Sequence, residues 1–296
     1  MITQKAEPLA HIGDAQIRRV EEMRQRIPMA MLTEDRAFVR ANQSWLSPFY
    51  DSTDDCFELV FQMWVLDIAG KTVVVDPCNG NGRSRPVLTA FDHLDTPFIE
   101  RLEATGTRPE DVDFVFCSHL HCDHCGWNTR LDNGRWVPTF PNARYLFVRR
   151  EVERWEPSRP GHRPVEYNIG VYEDSVRPVL DAGLADLVAD HHAILPGLAI
   201  EPAPGHTTGH SVLHLNSRGE DAWFTGDAFH HPLQVLRPEL HLEGCDDLQQ
   251  AVATRERLLH AIAERDGLMI PAHFAGPHRG RVAKSPDGFR FIAPAS

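Results

Sequence analysis

The segment SHLHCDHCGW, residues 118–127, decides the fold and points to the chemistry of this protein. It places three histidines and one carboxylate within six positions, directly after an apolar strand. Imidazole nitrogens at this density, beside a carboxylate, suit zinc or another borderline divalent metal. A tight turn can present His119 and His121 to one ion, and Asp123 and His124 to a second. The alternative is a plain strand-to-helix turn in which Asp123 caps the helix.

Three later segments also place metal-binding residue types where a strand ends. EPAPGHTTGHS holds His206 in a glycine-rich turn, and WFTGDAFHH holds Asp227 with His230 close behind it. IPAHF places His273 at the end of the last clear strand. Each position alone is weak evidence, because a single histidine near a turn is more often structural. Loops at strand ends are where α/β folds build sites, so the joint occurrence predicts one shared site.

The hydrophobic pattern predicts an α/β fold with mixed sheets. CFELVFQMWVLDIAG and KTVVVDP are typical of strands, and DDLQQAVATRERLLHAIAERDG is typical of a helix capped by Asp246. Residues 1–50 are predicted to form a helical arm, because Ile17, Val20, Arg24 and Ile27 recur at helical spacing. The apolar face of that arm is expected to pack on the main domain or on a second subunit.

Composition excludes several classes of protein. The chain has 296 residues with 42 acidic and 30 basic side chains, for a net charge of −12, and has no basic patch suited to nucleic acid. No apolar stretch is long enough for a membrane span, and the first residues lack a signal-peptide core. Six cysteines are too few for a disulfide scaffold at this length. We therefore expect a cytoplasmic protein with no nucleic-acid or membrane partner.

The ordered set SHLHCDH, PGHTTGHS, TGD and AHF resembles the metallo-β-lactamase superfamily over roughly residues 56–280. The resemblance implies an αββα sandwich of two mixed β-sheets flanked by helices, occupying residues 51–296. The loop VDPCNGNGR and the PGHTTGHS turn look most like the branch of N-acyl-homoserine lactone lactonases and methyl parathion hydrolase-type esterases. By analogy with that branch, the N-terminal arm is expected to support a homodimer.

The resemblance implies a dinuclear metal site with a complete set of ligands. Two divalent ions are expected, most readily Zn²⁺, with Mn²⁺ or Fe²⁺ as alternatives. Carried over position by position, the first ion takes His119, His121 and His206, the second takes Asp123, His124 and His273, and Asp227 bridges the two.

The implied reaction is hydrolysis of a lactone or carboxylic ester by a hydroxide shared between the two ions. Asp123 or Asp227 is expected to carry a proton to the leaving group. In the lactonase branch a tyrosine three residues after the bridging aspartate often contacts the substrate carbonyl, and here that position is His230. A neutral imidazole can donate a hydrogen bond as a phenol does, although His230 is shorter. A surface location for His230 is the alternative.

Other residues near the predicted ligands are given supporting roles. His210 is expected to orient the turn that holds His206, and Cys122 and Cys125 to pack behind the ligands. Five aromatic residues either line an apolar substrate pocket or belong to the core, and core is the commoner outcome: Trp127, Trp136, Phe140, Trp155 and Phe229.

Several other reactions use the same scaffold. A thioesterase of the glyoxalase II kind shares the ligands, but only 23 residues follow His273, too few for its basic helical domain. Phosphotriester hydrolysis remains open. A persulfide dioxygenase needs one iron and not the second set of ligands, and an RNase Z-type nuclease brings a basic surface. A degenerate binding scaffold would have lost ligands, and none is missing.

Overall fold

Two seven-stranded sheets form the framework of the protein in the computed structural model, which describes residues 7–294. The first sheet contains, in spatial order, β1 (Ala10–Ile12), β2 (Ala15–Pro28), β3 (Cys56–Ile68), β4 (Lys71–Val75), β5 (Phe114–Phe116), β8 (Arg144–Val148) and β9 (Ala185–Val188). Strands β4, β5, β8 and β9 are parallel, whereas β1 to β4 are antiparallel. Strands β6 (Thr129–Asp132) and β7 (Arg135–Pro138) form a separate hairpin.

The second sheet is also mixed. It contains, in spatial order, β10 (His192–Leu195), β11 (Leu198–Pro202), β12 (Ser211–Ser217), β13 (Glu220–Gly226), β14 (Leu268–Pro271), β15 (Gly280–Ser285) and β16 (Gly288–Ile292). Only β13 and β14 are parallel neighbours. The helices are α1 (Arg36–Leu46), α2 (Phe98–Ala104), α3 (Cys122–Cys125), α4 (Arg149–Trp155), α5 (Arg177–Asp181), α6 (Leu233–Leu236) and α7 (Leu248–Glu264).

The core is layered as an αββα sandwich. Trp64 and Phe116 of the first sheet pack in one buried cluster with Leu213 and Phe224 of the second, so the sheets meet face to face. The outer face of the first sheet packs on side chains of α2 and α4, and that of the second packs on α7. Helices thus cover both outer faces, which confirms the fold class predicted from the sequence.

The β3–β4 hairpin shows how the sequence produces its local structure. Ile68 pairs with Lys71, so only Ala69 and Gly70 form the turn, and both have positive φ. Two positive φ values in a two-residue loop define a type I′ turn, in which glycine avoids the strain of a side chain. Strand β3 is almost continuously apolar because both of its faces are buried.

The expected N-terminal helix is wrong. Residues 15–28 form strand β2, which pairs with β3 from Gln16 opposite Asp67 to Pro28 opposite Cys56. Ile17 belongs to the cluster between the sheets, whereas Val20 belongs to the cluster on the outer face. A strand buried on both faces loses its alternating pattern, and its apolar residues can then mimic helical spacing. Residues 1–6 of the predicted arm lie outside the described part of the chain. Within residues 7–50, the α-helix is α1.

Smaller departures from the sequence reading lie near element ends. Helix α7 is capped by Asp247, whose side chain accepts from the Gln250 amide, and not by Asp246. Helix α5 ends at Asp181 and is followed by β9. Strands β15 and β16 form a hairpin beyond the last strand that the sequence predicts.

No helix within residues 7–294 has the length and apolar character needed to cross a membrane. The cytoplasmic location and the homodimer stay predictions.

Replacing Ile17 tests whether the N-terminal segment is part of the core. Ile17 is 1% exposed between the sheets, so Ile17→Ala should lower the free energy of unfolding by about 2–5 kcal/mol. The exposed neighbour Gln16 is the matched control, and Gln16→Ala should change it by less than about 0.5 kcal/mol. Denaturant titration of both variants measures this, and equal stability of the two would contradict the placement of β2.

Candidate metal centre

The predicted ligands converge at one edge of the sandwich because the strands that carry them end there. His119 and His121 follow β5, and Asp123 and His124 lie on the short helix α3. His206 lies in the loop between β11 and β12, while Asp227 and His273 follow the parallel strands β13 and β14. Parallel strands present their carboxyl ends at the same edge of a sheet, which is where α/β folds place ligands.

The first group comprises His119, His121, His206 and Asp227, all buried, with one potential ligand atom from each lying within 4.8 Å of the others. His206 Nε2 is 3.0 Å from His121 Nδ1 and 3.3 Å from Asp227 Oδ2. His119 Nε2 is 3.8 Å from the same carboxylate oxygen. Three imidazole nitrogens and one oxygen therefore face a common point.

The second group comprises Asp123, His124, His273 and again Asp227. Asp227 Oδ1 is 3.2 Å from His124 Nε2 and 3.0 Å from His273 Nε2. Asp123 Oδ2 is 3.5 Å from each of those two nitrogens. The two oxygens of Asp227 thus face different groups, so its carboxylate is placed to bridge them.

The chemistry of these donors fits two divalent ions. His119 Nε2 is buried and has no hydrogen-bond partner among the residues that the structure describes. His124 Nε2 and His273 Nε2 are 3.2 Å apart, and in their neutral forms two such lone pairs need a shared cation or proton between them. Nitrogen and carboxylate donors of this number suit zinc or a similar ion. The seven predicted ligands are brought together, and their binding of metal remains a prediction.

The nitrogens on the far side of these rings also have partners. His121 Nε2 is 3.4 Å from the Tyr167 hydroxyl, which donates to the Gly244 carbonyl. His273 Nδ1 is 3.1 Å from the Val60 carbonyl oxygen, where the ring donates. Groups that hold the second ring nitrogen fix the tautomer and orientation of a metal-binding histidine.

A carboxylate and a thiol lie beside the far nitrogens of two other rings. His124 Nδ1 is 3.2 Å from Asp76 Oδ2, and Asp76 also accepts from the Ser118 amide and hydroxyl. His206 Nδ1 is 3.7 Å from Cys245 Sγ. Asp76 therefore connects the end of β4 to the loop that holds the first ligands.

The pKa values of the histidines shift in opposite directions in the two groups. Burial lowers the pKa of His124, but the carboxylates of Asp227, Asp123 and Asp76 outweigh burial and hold that pKa well above its usual value. His273 shows the same balance: burial is outweighed mainly by Asp227, and its pKa is raised. The second group therefore favours a protonated imidazole pair when no metal is present.

The first group favours neutral imidazoles. Burial, reinforced by neighbouring histidines, holds the pKa of His119 well below its usual value, and burial lowers that of His121 to about 4. Burial also lowers the pKa of His206. Burial raises the pKa of Asp227, but His124, His273 and His230 lower it far more, so this carboxylate is ionised.

Two further histidines are tied to Asp227. His230 is buried, and its Nε2 lies 3.1 Å from Asp227 Oδ2, so the alternative surface location is wrong. His210 Nε2 accepts from the Asp227 amide, and its Nδ1 donates to the Ala203 carbonyl. Gly226 has φ +49°, and a Cβ there would lie 2.6 Å from Ser118 Oγ, so glycine is required immediately before Asp227.

The aromatic residues and cysteines predicted to lie near the ligands are in different surroundings, and only some of them contact the site. Trp155 contacts the His121 ring, with centroids 5.3 Å apart, whereas Phe140 and Phe229 are fully buried in the core. Trp127 stacks on Phe98, and Trp136 lies under the Arg83 guanidinium. Cys122 and Cys125 are buried, and burial raises both thiol pKa values, so neither thiol is disposed to act as a thiolate.

Sequence reasoning missed three residues whose side chains lie beside the ligand rings: Asp76, Tyr167 and Cys245. Asp76 alone had a usable signal, because a carboxylate directly after a strand points to a site edge. Tyr167 lies on a single 3₁₀ turn and Cys245 in a loop, and neither position carries a pattern that differs from an ordinary surface residue.

The sequence profile of the metallo-beta-lactamase superfamily matches residues 62–273, well over half of the chain. The chain belongs to this superfamily. That span begins within β3 and ends at His273, so it contains all seven predicted ligands. Membership places the protein in a family of metal-dependent hydrolases.

The individual relatives have low sequence identity to this chain, and the two described here carry the same name. An N-acyl homoserine lactonase of a Bacillus species is 24% identical over 201 residues, which cover 64% of this chain and 70% of that protein. An N-acyl homoserine lactonase of Bacillus thuringiensis is 25% identical over 187 residues, which cover 60% of this chain and 64% of that protein.

Solved structures show the same fold over nearly the whole chain. The hydrolase AbOPH of the beta lactamase superfamily matches with a TM-score of 0.79 at 22% identity, covering 97% of both chains. AidC, a dizinc quorum-quenching lactonase, matches with a TM-score of 0.75 at 19% identity, again covering 97% of both. The fold therefore includes the N-terminal strands and is not confined to the matched profile.

The opposite pKa shifts of the two groups predict their protonation in metal-free protein. At pH 7, the pair formed by His124 and His273 should hold an extra proton, shared between Nε2 atoms that lie 3.2 Å apart, whereas His119, His121 and His206 should be neutral. Metal must displace the extra proton, so affinity at the second group should fall as pH falls, while the first group changes little near neutrality. Histidine side-chain ¹⁵N shifts in the metal-free protein measure this directly, and five neutral rings at pH 7 would contradict it.

Proposed function

We propose that this protein is a dinuclear metal hydrolase that opens a lactone or cleaves a carboxylic ester. The observation that carries the proposal is the placement of Asp227, whose two carboxylate oxygens face two separate groups of buried histidines. Such an arrangement suits two ions at bridging distance, which is the geometry used for hydrolysis at paired metals. Zinc is the proposed metal because five of the seven donors are imidazoles.

The reaction needs no protein nucleophile. Two divalent ions held by these seven residues would supply Lewis acidity toward a carbonyl oxygen and would lower the pKa of water at the centre to about 7. The oxygen of water forms a bond to the acyl carbon, the bond from that carbon to the ester oxygen breaks, and one proton passes to the departing oxygen. The acid that is formed ionises at neutral pH, so each turnover releases one proton.

Asp123 is the residue best placed to handle that proton. Its side chain is 16% exposed, more than the other side chains of its group, so it lies on the open side of the centre. Burial raises the pKa of Asp123, but His124 and His273 outweigh burial and keep the carboxylate ionised. An ionised carboxylate beside the reacting water can accept a proton and return it to the leaving oxygen. Asp227 has the same charge but is held between the two groups.

The lactone preference rests on relatives. Proteins named N-acyl homoserine lactonase and a dizinc lactonase structure resemble this chain at 19–25% identity. At this distance a shared superfamily does not fix the substrate, because function depends on the site and not on the fold. Aliphatic lactones are accordingly the first substrates to test, ahead of thioesters and phosphotriesters.

A proton-release assay of the zinc-loaded protein tests the proposal. The panel contains aliphatic N-acyl lactones of several chain lengths, an aromatic lactone, an aryl ester, a thioester and a phosphotriester. We expect chelator-sensitive turnover that is fastest for lactones, with kcat/KM at least tenfold above the open-chain esters. Restoration of activity by added Zn²⁺ after chelation is the control.

Any other result of the substrate panel would change the activity assigned to the site. Faster turnover of the thioester or the phosphotriester would keep a metal hydrolase and overturn the lactone assignment. Chelator-insensitive turnover, or no turnover of any panel member by protein that holds two ions, would overturn the proposed function itself.

His230 is the proposed contact to the reacting ester. Its Nε2 faces the Asp227 carboxylate, so that nitrogen carries the hydrogen, and its buried Nδ1 has no partner among the described residues. The ring stacks on His273 with centroids 5.7 Å apart, which places it beside the second group. We propose that the ring contacts the reacting ester through one of its two nitrogens, of which Nδ1 is not engaged by any described residue.

Removing both nitrogens of His230 should slow the chemical step. His230→Phe keeps a planar ring, and kcat should fall roughly 10- to 100-fold while two metals remain bound, because a hydrogen bond to the reacting group is lost. Steady-state kinetics on the best panel substrate, with metal analysis of the same sample, measures this.

His231 provides the matched control. It is equally buried, but its ring contacts the Phe49 carbonyl and the Leu233 amide and not the metal centre. His231→Gln should leave kcat within about twofold in the folded protein. Equal kcat for His230→Phe and the unaltered protein would remove His230 from the mechanism.

A further inference from the structure

Glu151 is a buried carboxylate behind the metal centre that the hydrolytic mechanism does not use. It lies on helix α4 and is 2% exposed. Its Oε1 accepts hydrogen bonds from the Leu120 amide at 3.0 Å and the Trp155 indole at 2.7 Å. Its Oε2 accepts from the Thr207 hydroxyl at 2.7 Å and the Gly209 amide at 2.9 Å. Four donors therefore point at the two oxygens of one carboxyl group, although burial raises its pKa.

The groups that donate to Glu151 lie next to predicted metal ligands. Leu120 lies between His119 and His121 in the chain, and Thr207 directly follows His206. The indole of Trp155 that donates to Glu151 also packs against the His121 ring. One side chain therefore connects both loops that supply the three histidines of the first group.

The contact between the helix and the second loop is also close. Gly209 lies so near the Glu151 backbone that a Cβ at Gly209 would overlap it, so the loop can approach α4 only with glycine at this position. Removing the acceptor oxygens of Glu151 would leave these buried donors unsatisfied. The loops are thus held to α4 by Glu151 and by direct backbone packing.

The second group is held by other residues. His124 faces Asp76, and His273 donates to the Val60 carbonyl. Neither contact involves α4. Loss of the Glu151 carboxylate should therefore loosen one group and leave the other in place.

We propose that Glu151 is a positioning residue that sets the metal affinity of the His119, His121 and His206 group separately from that of the second group. The inference rests on the proposed function only in requiring that these histidines bind metal. Glu151 acts by fixing the separation of the two loops that carry His119, His121 and His206. It contacts neither substrate nor metal itself.

Glu22 offers a matched control within the same chain. It is also 2% exposed and also accepts four hydrogen bonds, from the Asn79 amide and side chain, the Gly80 amide and the Trp127 indole. Its partners lie in the loop after β4 and behind α3, and none is adjacent in sequence to a histidine of the first group. Replacing either carboxylate by its amide is therefore the same chemical change at two places.

The experiment compares Glu151→Gln and Glu22→Gln by zinc titration of metal-free protein against a chromophoric chelator. Glu151→Gln should weaken one of two binding steps by roughly 10- to 100-fold and leave the other within threefold. Glu22→Gln should leave both steps within threefold. In a His273→Ala background, which disables the second group, Glu151→Gln should weaken the single remaining step.

Thr207→Val provides a milder variant if Glu151→Gln does not fold. It keeps the side-chain shape, removes one of the four donors, and should weaken the same step several-fold. Unfolding midpoints of all metal-free variants show whether the fold is retained.

The inference is overturned if Glu151→Gln binds both ions as tightly as the unaltered protein. It is also overturned if Glu22→Gln loses the same step to the same extent, because the effect would then be general destabilisation. Two-ion binding with the expected selective loss, but no hydrolysis of the substrate panel, would uphold the role of Glu151 and reject the proposed function.

Discussion

The Asp227 carboxylate faces histidines of two separate groups, and the charge balance of the whole site depends on it. Among the nearby carboxylates it does most to raise the pKa values of His124 and His273, while those same rings keep Asp227 ionised despite burial. Three neutral histidines complete the other side. Without this shared anion, five buried imidazoles would lie together with only Asp123 and Asp76 to balance them, an arrangement that burial would disfavour.

The rest of the sandwich serves to hold that anion and those rings in place. The parallel pair β13 and β14 ends at Asp227 and His273, and Gly226 permits the close approach to Ser118 that aims Asp227. Behind the rings lie polar groups from segments far apart in the chain, among them Asp76, Tyr167 and Glu151. A site of this kind gains its geometry from rigid strand ends, and its orientation from hydrogen bonds at the far side of each ring.

The N-terminal segment shows how a sequence pattern can mislead. Ile17 and Val20 are three residues apart and therefore fit a helix, yet they lie on opposite faces of β2, each covered by a different apolar cluster. A bulge between Glu21 and Met23 shifts the alternation again and turns Glu22 into the interior. The partner that makes β2 a strand is β3, some forty residues later, and no local pattern announces that pairing.

The superfamily, the sandwich fold and the residues that cluster at the site could all be predicted from the sequence. The reason is that each ligand motif and each strand pattern lies within a few neighbouring residues. The order SHLHCDH, PGHTTGHS, TGD and AHF is readable in one dimension. Only the tertiary structure decided that β2 is a strand, that His230 is buried against Asp227, and that Glu151 joins two ligand loops. The physical reason is that hydrophobic period and turn chemistry act between near neighbours, whereas strand pairing, burial and hydrogen bonds to a buried carboxylate join residues that only the folded chain brings together.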